Sequence, residues 1–280
     1  MGEGGFDRTL KAVDEFKPSK PLCVIKQFFS TVKDTKSIQK ATELFEQEVV
    51  RLETLGKHPQ IPELFAHLIQ DNRQYLVQEY IAGQNLAEEL AIEGVFSETK
   101  IREFLNEMLP ILEFVHEHQV IHRDIKPENI VRIANSERGK NHKYSLVLVD
   151  FGAAKFTSKT ALAKTGTVIG SAAYIAPEQV RGKAIFASDI YSLAITCIYL
   201  LTGVAPFDLF DSSEDSWIWR DYLKIPVSFQ LSKIIDKMLK TATKNRYQTA
   251  REILNDLNAS PELTTAKNHV NKLFIKITWI

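Results

Sequence analysis

The segment VIHRDIKPENIV, residues 120–131, constrains this chain more than any other stretch. Asp124, Lys126 and Asn129 lie within six positions of one another. Twenty-one residues beyond Asn129 stands Asp150, in VDFG. Twenty-four residues beyond Gly152 stands Ala176, in YIAPEQ, and far upstream Lys26 closes the run CVIK. NIVRI and YSLVLVDF read as two strands of a hairpin, and the polar stretch ANSERGKNHK (134–143) between them reads as an exposed loop.

The rest of the chain supplies a frame for that set. LCVIKQFF (22–29) is a β-branched and aromatic run that predicts a strand. In TELFEQEVVRLETLG (42–56), Phe45, Val49, Leu52 and Leu55 recur at helical spacing, and Gly56 ends the pattern. QYLVQEYIAG (74–83) predicts a buried strand running into a loop. From Ser97, a plausible N-cap, a helix is expected over 97–119, bent or short of one hydrogen bond at Pro110. Helices are expected to dominate again from Ser188 to Leu257. The plan is a strand-rich lobe over 1–81, a larger helical lobe over 82–258, and a tail over 259–280 without a readable motif.

Composition excludes several classes. With 280 residues, 44% hydrophobic and 25% charged, the chain has apolar mass for a real core. Lys+Arg and Asp+Glu both number 35, so no general nucleic-acid binder is expected. Cys23 and Cys197 fit no metal or disulfide spacing, which points to a reduced compartment. No secretory leader is visible, and Phe6 occupies the Ser/Thr position that myristoylation of Gly2 would need. IYSLAITCIYLL (190–201) is too short to span a membrane. A cytoplasmic protein without a membrane segment is expected.

Five motifs in this order resemble the eukaryotic-like (Hanks-type) serine/threonine protein kinases. The wording of CVIKQF, LGKHPQIPEL, VLVDFGAAK and LLTGVAPFDLF is most similar to the cyanobacterial members, and the resemblance runs from Met1 to Leu257. It implies an α+β, two-lobed fold: a small antiparallel-sheet lobe and a larger, mainly helical lobe. It also implies ATP and Mg2+ (or Mn2+) as cofactors and Ser/Thr hydroxyls of proteins as acceptors. Asn129 and Asp150 match the metal ligands and offer the hard oxygens magnesium takes. Asp124 matches the base that accepts the hydroxyl proton, and Lys126 the neutraliser of charge on the transferred phosphoryl. Lys26 would hold the α- and β-phosphates and needs an acidic partner from the helix at 42–56. At about 100° per residue, only Glu48 of Glu43, Glu46, Glu48 and Glu53 falls within the apolar arc, and the family pattern selects the same residue. Adenine would meet the backbone of Glu79 and Ile81, with Gln78 bordering the back of the pocket and Asn85 as a candidate for the ribose.

Other roles follow from the same resemblance. His122 is expected to pack behind the metal-binding loop. Arg123 would pair with a phosphate on the segment 150–178, where Thr165 and Thr167 are the candidate acceptors; Ser171 is expected at the substrate instead. Glu178 and Arg246 would form a buried ion pair, and Asp189 would brace the catalytic backbone. Gly2, Gly4 and Gly5 keep the form of a phosphate-cradling loop. Asp7 stands where a third glycine is expected and would weaken that loop. Met1 stands where the family has Leu, so the first strand of the small lobe is expected to be missing. Two classes therefore remain open: an active Ser/Thr kinase, favoured by the intact Asp124, Lys126, Asn129 and Asp150, and a kinase-fold scaffold, favoured by the altered glycine loop.

Overall fold

The structure is a computed structural model that describes residues 7–28, 35–71, 73–133, 145–151 and 172–259. Asp7–Val13 (β1) and Leu22–Phe28 (β2) form a hairpin, followed by the helix Thr35–Leu55 (α1) and the strands Leu64–Gln70 (β3) and Arg73–Glu79 (β4). These four strands make one antiparallel sheet in the order β1-β2-β4-β3. Gly2, Gly4 and Gly5 lie outside the described residues. Asp7 opens β1.

The helix predicted over 42–56 begins seven residues earlier, at Thr35. Its apolar stripe behaves as the spacing requires: Phe45, Leu52 and Leu55 are buried, whereas Glu43, Glu46 and Glu53 are exposed. β1 and β3 have no counterpart in the sequence reading. LFAHLIQ mixes apolar and polar residues and ends exposed, so main-chain pairing rather than a buried face holds it.

The lobe connector leads to Gln84–Asn85 (β5), Leu86–Glu93 (α2) and Glu98–Glu117 (α3). Gly83 is required here: a Cβ on it would stand 2.1 Å from the Arg132 carbonyl oxygen. Ser97 does cap α3, its side chain accepting from Lys100 N–H. Pro110 sits inside α3 without ending it. It supplies no N–H, so the cost is the one missing donor rather than a break. Ile130–Arg132 (β6) and Leu146–Leu148 (β7) form the expected hairpin, with β5 on the outer side of β6.

After Pro177–Val180 (α4), the helix Phe186–Thr202 (α5) runs through the large lobe with fifteen of its residues buried. That explains why its sequence is apolar on every side. A short hairpin, Phe210–Asp211 (β8) with Ser216–Trp217 (β9), precedes Phe229–Met238 (α6) and Ala250–Asn258 (α7). One core runs through both lobes, from Phe45, Leu52 and Leu76 through Leu105 and Leu148 to Ile195 and Ile253. Each such side chain contributes about 1.5–3 kcal/mol on burial. No described helix is long and apolar enough to cross a membrane.

Candidate active site

Strand alternation sets the first half of the site. Lys26 lies opposite Thr9 of β1 and Leu76 of β4; Val24, two residues back, lies opposite Lys11 and Gln78. Cross-strand partners and next-but-one neighbours share a face, so these residues surround Lys26 on one side of the sheet. Lys26 Nζ donates to Glu48 Oε1 at 2.6 Å and to Asp150 Oδ1 at 2.7 Å. Lys26 and Glu48 are 4% and 2% exposed, so the pair is out of water. Burial alone would pull the lysine pKa down, but the charges of Asp150 and Glu48 and their hydrogen bonds outweigh it and raise it. The partner picked from helical periodicity is the one observed.

The second half is one continuous loop. Lys126 Nζ donates to Asp124 Oδ2 at 2.9 Å. Asn129 Nδ2 donates to the Asp124 carbonyl at 2.8 Å and to Asp124 Oδ2 at 2.9 Å. The amide nitrogen therefore faces Asp124, and the amide oxygen remains as the atom that could hold a cation. Val149 N–H donates to the Asn129 carbonyl at 2.9 Å, so the strand leading into Asp150 is tied to the loop carrying Asn129.

Backbone strain marks the same two places. Arg123 has φ +69° and Asp150 φ +65°. A left-handed non-glycine residue costs roughly 1–3 kcal/mol and persists where its surroundings over-determine it. At Arg123 they do: its N–H donates to Asp189 Oδ1 at 2.8 Å, and its carbonyl accepts from Gln179 Nε2 at 2.7 Å. Asp189 is fully buried and also accepts from His122 N–H and His116 Nε2, each at 2.9 Å.

His122 sits behind the loop, its ring edge-on to Phe151 at 4.7 Å. Its Nε2 meets the Val149 carbonyl at 3.2 Å, and its Nδ1 accepts from Asp124 N–H at 3.3 Å. A carbonyl can only accept, so Nε2 carries the proton. Burial pushes the His122 pKa down against the pull of Asp189, Asp124 and Asp150, and a second proton on Nδ1 would face an N–H.

Other expected residues divide. Arg246 Nη1 meets Glu178 Oε1 at 2.7 Å, and Ser188 Oγ donates to the same oxygen. Burial would raise the Glu178 pKa, but the bonds from Arg246 and Ser188 lower it. Asn85 is occupied as a helix cap: Oδ1 accepts from Glu88 N–H at 2.9 Å in a reciprocal capping box for α2. Ile81 packs with Ile133 and Val147, and Glu79 N–H donates to the Glu63 carbonyl at 2.9 Å. Thr165, Thr167 and Ser171 lie outside the described residues. Thr9, Val24, Gln60 and Gln179 were not singled out from sequence. Alternation outward from Lys26 points to Val24, but Thr9 needs the cross-strand register and Gln179 the packing of α4.

A strand lysine held by a helix glutamate, facing an Asp-Lys-Asn loop and a second aspartate across two lobes, defines a phosphoryl-transfer type of site. The chain belongs to the protein kinase family: residues 1–257 match the protein kinase domain. It is 38% identical over 266 residues to serine/threonine-protein kinase B of Synechocystis sp., covering 92% of this chain and 45% of that protein. It is 42% identical over 273 residues to serine/threonine-protein kinase F of the same organism, covering 92% and 53%. It is 38% identical over 264 residues to serine/threonine-protein kinase PknA of Nostoc sp., covering 92% and 45%. The chain thus spans about half the length of these relatives. The fold is similar to the solved structure titled PpkA-294 apo form, with a TM-score of 0.72 and 23% identity over 92% of this chain and 93% of that one.

Proposed function

We propose that this chain is a serine/threonine protein kinase that moves the γ-phosphoryl of ATP to Ser/Thr hydroxyls of proteins in bacterial signalling. One observation carries the reading: Lys26 meets both Glu48 and Asp150 at hydrogen-bond distance, beside an Asp124 gripped by Lys126 and Asn129. Charge neutralisation and alignment are what this reaction asks of a protein.

Lys26, anchored by Glu48, takes the α- and β-phosphates. Asp124 orients the acceptor hydroxyl and accepts its proton. Lys126 offsets charge on the phosphoryl in flight. The amide oxygen of Asn129 and the carboxylate of Asp150 suit Mg2+, or Mn2+, which when bound neutralises phosphate charge. The backbone of Glu79 and Ile81 receives adenine beneath Thr9 and Val24, and Asn85 borders the ribose while capping α2. Gly2, Gly4 and Gly5 cover the phosphates. Arg123 pairs with a phosphate carried on Thr165 or Thr167. The two buried free thiols and the dependence on ATP support a cytoplasmic setting.

Labelled Mg-ATP, incubated with the chain and a generic basic protein, tests this. Transfer is expected for the native chain and its loss for Asp124→Asn. Absence of transfer to either acceptor, with Mg-ATP still bound, would replace the reading with that of a kinase-fold binding protein.

A further inference from the structure

The β1–β2 hairpin carries two lysines that end on aromatic rings beside the lobe connector. Lys11 Nζ lies 4.1 Å from the centroid of the Tyr80 ring, and Lys17 Nζ 4.5 Å from that of Phe65. Tyr80 stands between Glu79 and Ile81, whose backbone receives adenine in the kinase reading. Phe65 is the extra residue in β3 between Leu64, opposite Gln78, and Ala66, opposite Val77.

Register fixes where the first contact falls. Lys11 lies opposite Val24, and Val24 opposite Gln78. Lys11 is therefore on the face of the sheet that carries Thr9, Val24 and Lys26, two residues from Thr9 toward the connector. The pairing of β2 with β4 stops at Cys23 and Glu79, and β1 neighbours β2 rather than β4. Tyr80 lies one residue past that last pair. The Lys11 side chain thus reaches across β2 and carries the hold of the hairpin one step beyond the sheet. Lys11 is exposed and Tyr80 half-buried, so the ammonium keeps water on one side while it covers the ring with the other.

We propose that Lys11 and Tyr80 form a latch that fixes β1 over the connector and sets the width of the slot for the base. Both are positioning residues for nucleotide affinity. A cation over the face of an exposed tyrosine strengthens the closed arrangement by about two- to fivefold. A slot held at its working width also costs less to fill than one that must be ordered on binding. Lys26 and Asp124 act on the phosphates and the acceptor, so the latch changes affinity rather than the transfer step. The effect on ATP rests on the kinase reading; the coupling between the two side chains does not.

The test uses the full chain with Lys11→Met, Tyr80→Leu, both changes together, and the conservative Lys11→Arg and Tyr80→Phe. It measures affinity for Mg-ATP and for adenosine, which has no phosphate, then KM and kcat, and amide hydrogen exchange over residues 7–13 and 76–82. Lys11→Met and Tyr80→Leu are each expected to weaken both ligands by about two- to fivefold and to speed exchange in both segments. KM for ATP is expected to rise by the same factor while kcat stays within about twofold. The double variant is expected to lose no more than either single one, because each removes the same contact. Lys11→Arg and Tyr80→Phe are expected to keep native affinity, since one retains a cation and the other a ring face. A loss confined to Mg-ATP would make Lys11 a charge that attracts phosphate and would overturn the proposal. So would losses that multiply in the double variant, or Tyr80→Phe behaving as Tyr80→Leu. If the native chain binds neither ligand, the kinase reading fails separately, and the coupling of the two positions in hydrogen exchange decides this one.

Discussion

Lys26 shows how much a single residue can be asked to do. A buried ammonium is costly unless paired, and Lys26 is paired twice, with carboxylates 22 and 124 residues away in the chain. Truncating it leaves Glu48 buried beside an apolar stem. Lys26→Met is therefore expected to lower the melting temperature as well as weaken nucleotide binding, read by calorimetry and by ATP titration. Asp124 is different, being part-buried and held within its own loop. Asp124→Asn is expected to keep the fold and the affinity for ATP while lowering kcat by about 10²–10⁴-fold. Steady-state kinetics beside an unchanged melting curve would check that split.

At the scale of elements, caps and one ion pair stand out. Ser97 starts α3, which packs against the centre of the large lobe, and Ser97→Ala is expected to cost about 1 kcal/mol by denaturant titration. The Glu178–Arg246 contact ties α4 to the turn before α7, with the Arg246 side chain fully buried. Arg246→Met leaves the carboxylate bonded to Ser188 but without its cationic partner, and the expected loss is about 3–5 kcal/mol. Exchanging both partners for apolar residues is expected to recover much of it, which a four-variant cycle would measure. The elements also differ in how readable they were. α5 and α3 announce themselves because a buried helix must repeat apolar residues along the chain. β1 and β3 do not, because as edge strands they depend on partners that sequence does not name.

Across the whole molecule, His122 and Glu178 are among the groups that couple stability to pH. His122 is held below its ordinary value of 6.5, so the unfolded chain takes up that proton first as pH falls. Its contribution is complete above about 6.5 and is lost on acidification through that range. Glu178 is held below its ordinary 4.5, so its contribution is lost further down, below that value. The melting temperature is expected to fall from pH 6.5 to 5, and His122→Gln to flatten that portion. Bound nucleotide acts in the other sense: Mg-ATP at 100 times its dissociation constant is expected to add about 2.7 kcal/mol. Asp150→Asn is expected to remove the part that needs the metal, visible as a melting shift without Mg2+ dependence.

Asp124, Lys126 and Asn129 were legible because they belong to one short loop, where spacing along the chain is nearly spacing in the site. Glu48 was legible because helical periodicity leaves one glutamate among four on the buried face. The chain also specified its major helices, the hairpin of β6 and β7, and the two-lobed plan. The contact of Lys26 with Asp150, the four-strand order, and the bridge from Gln60 to β7 belong to the folded molecule alone. Local propensity is written in neighbouring residues. Contacts between residues far apart in the chain are chosen only when the core closes and each buried polar group must find a partner.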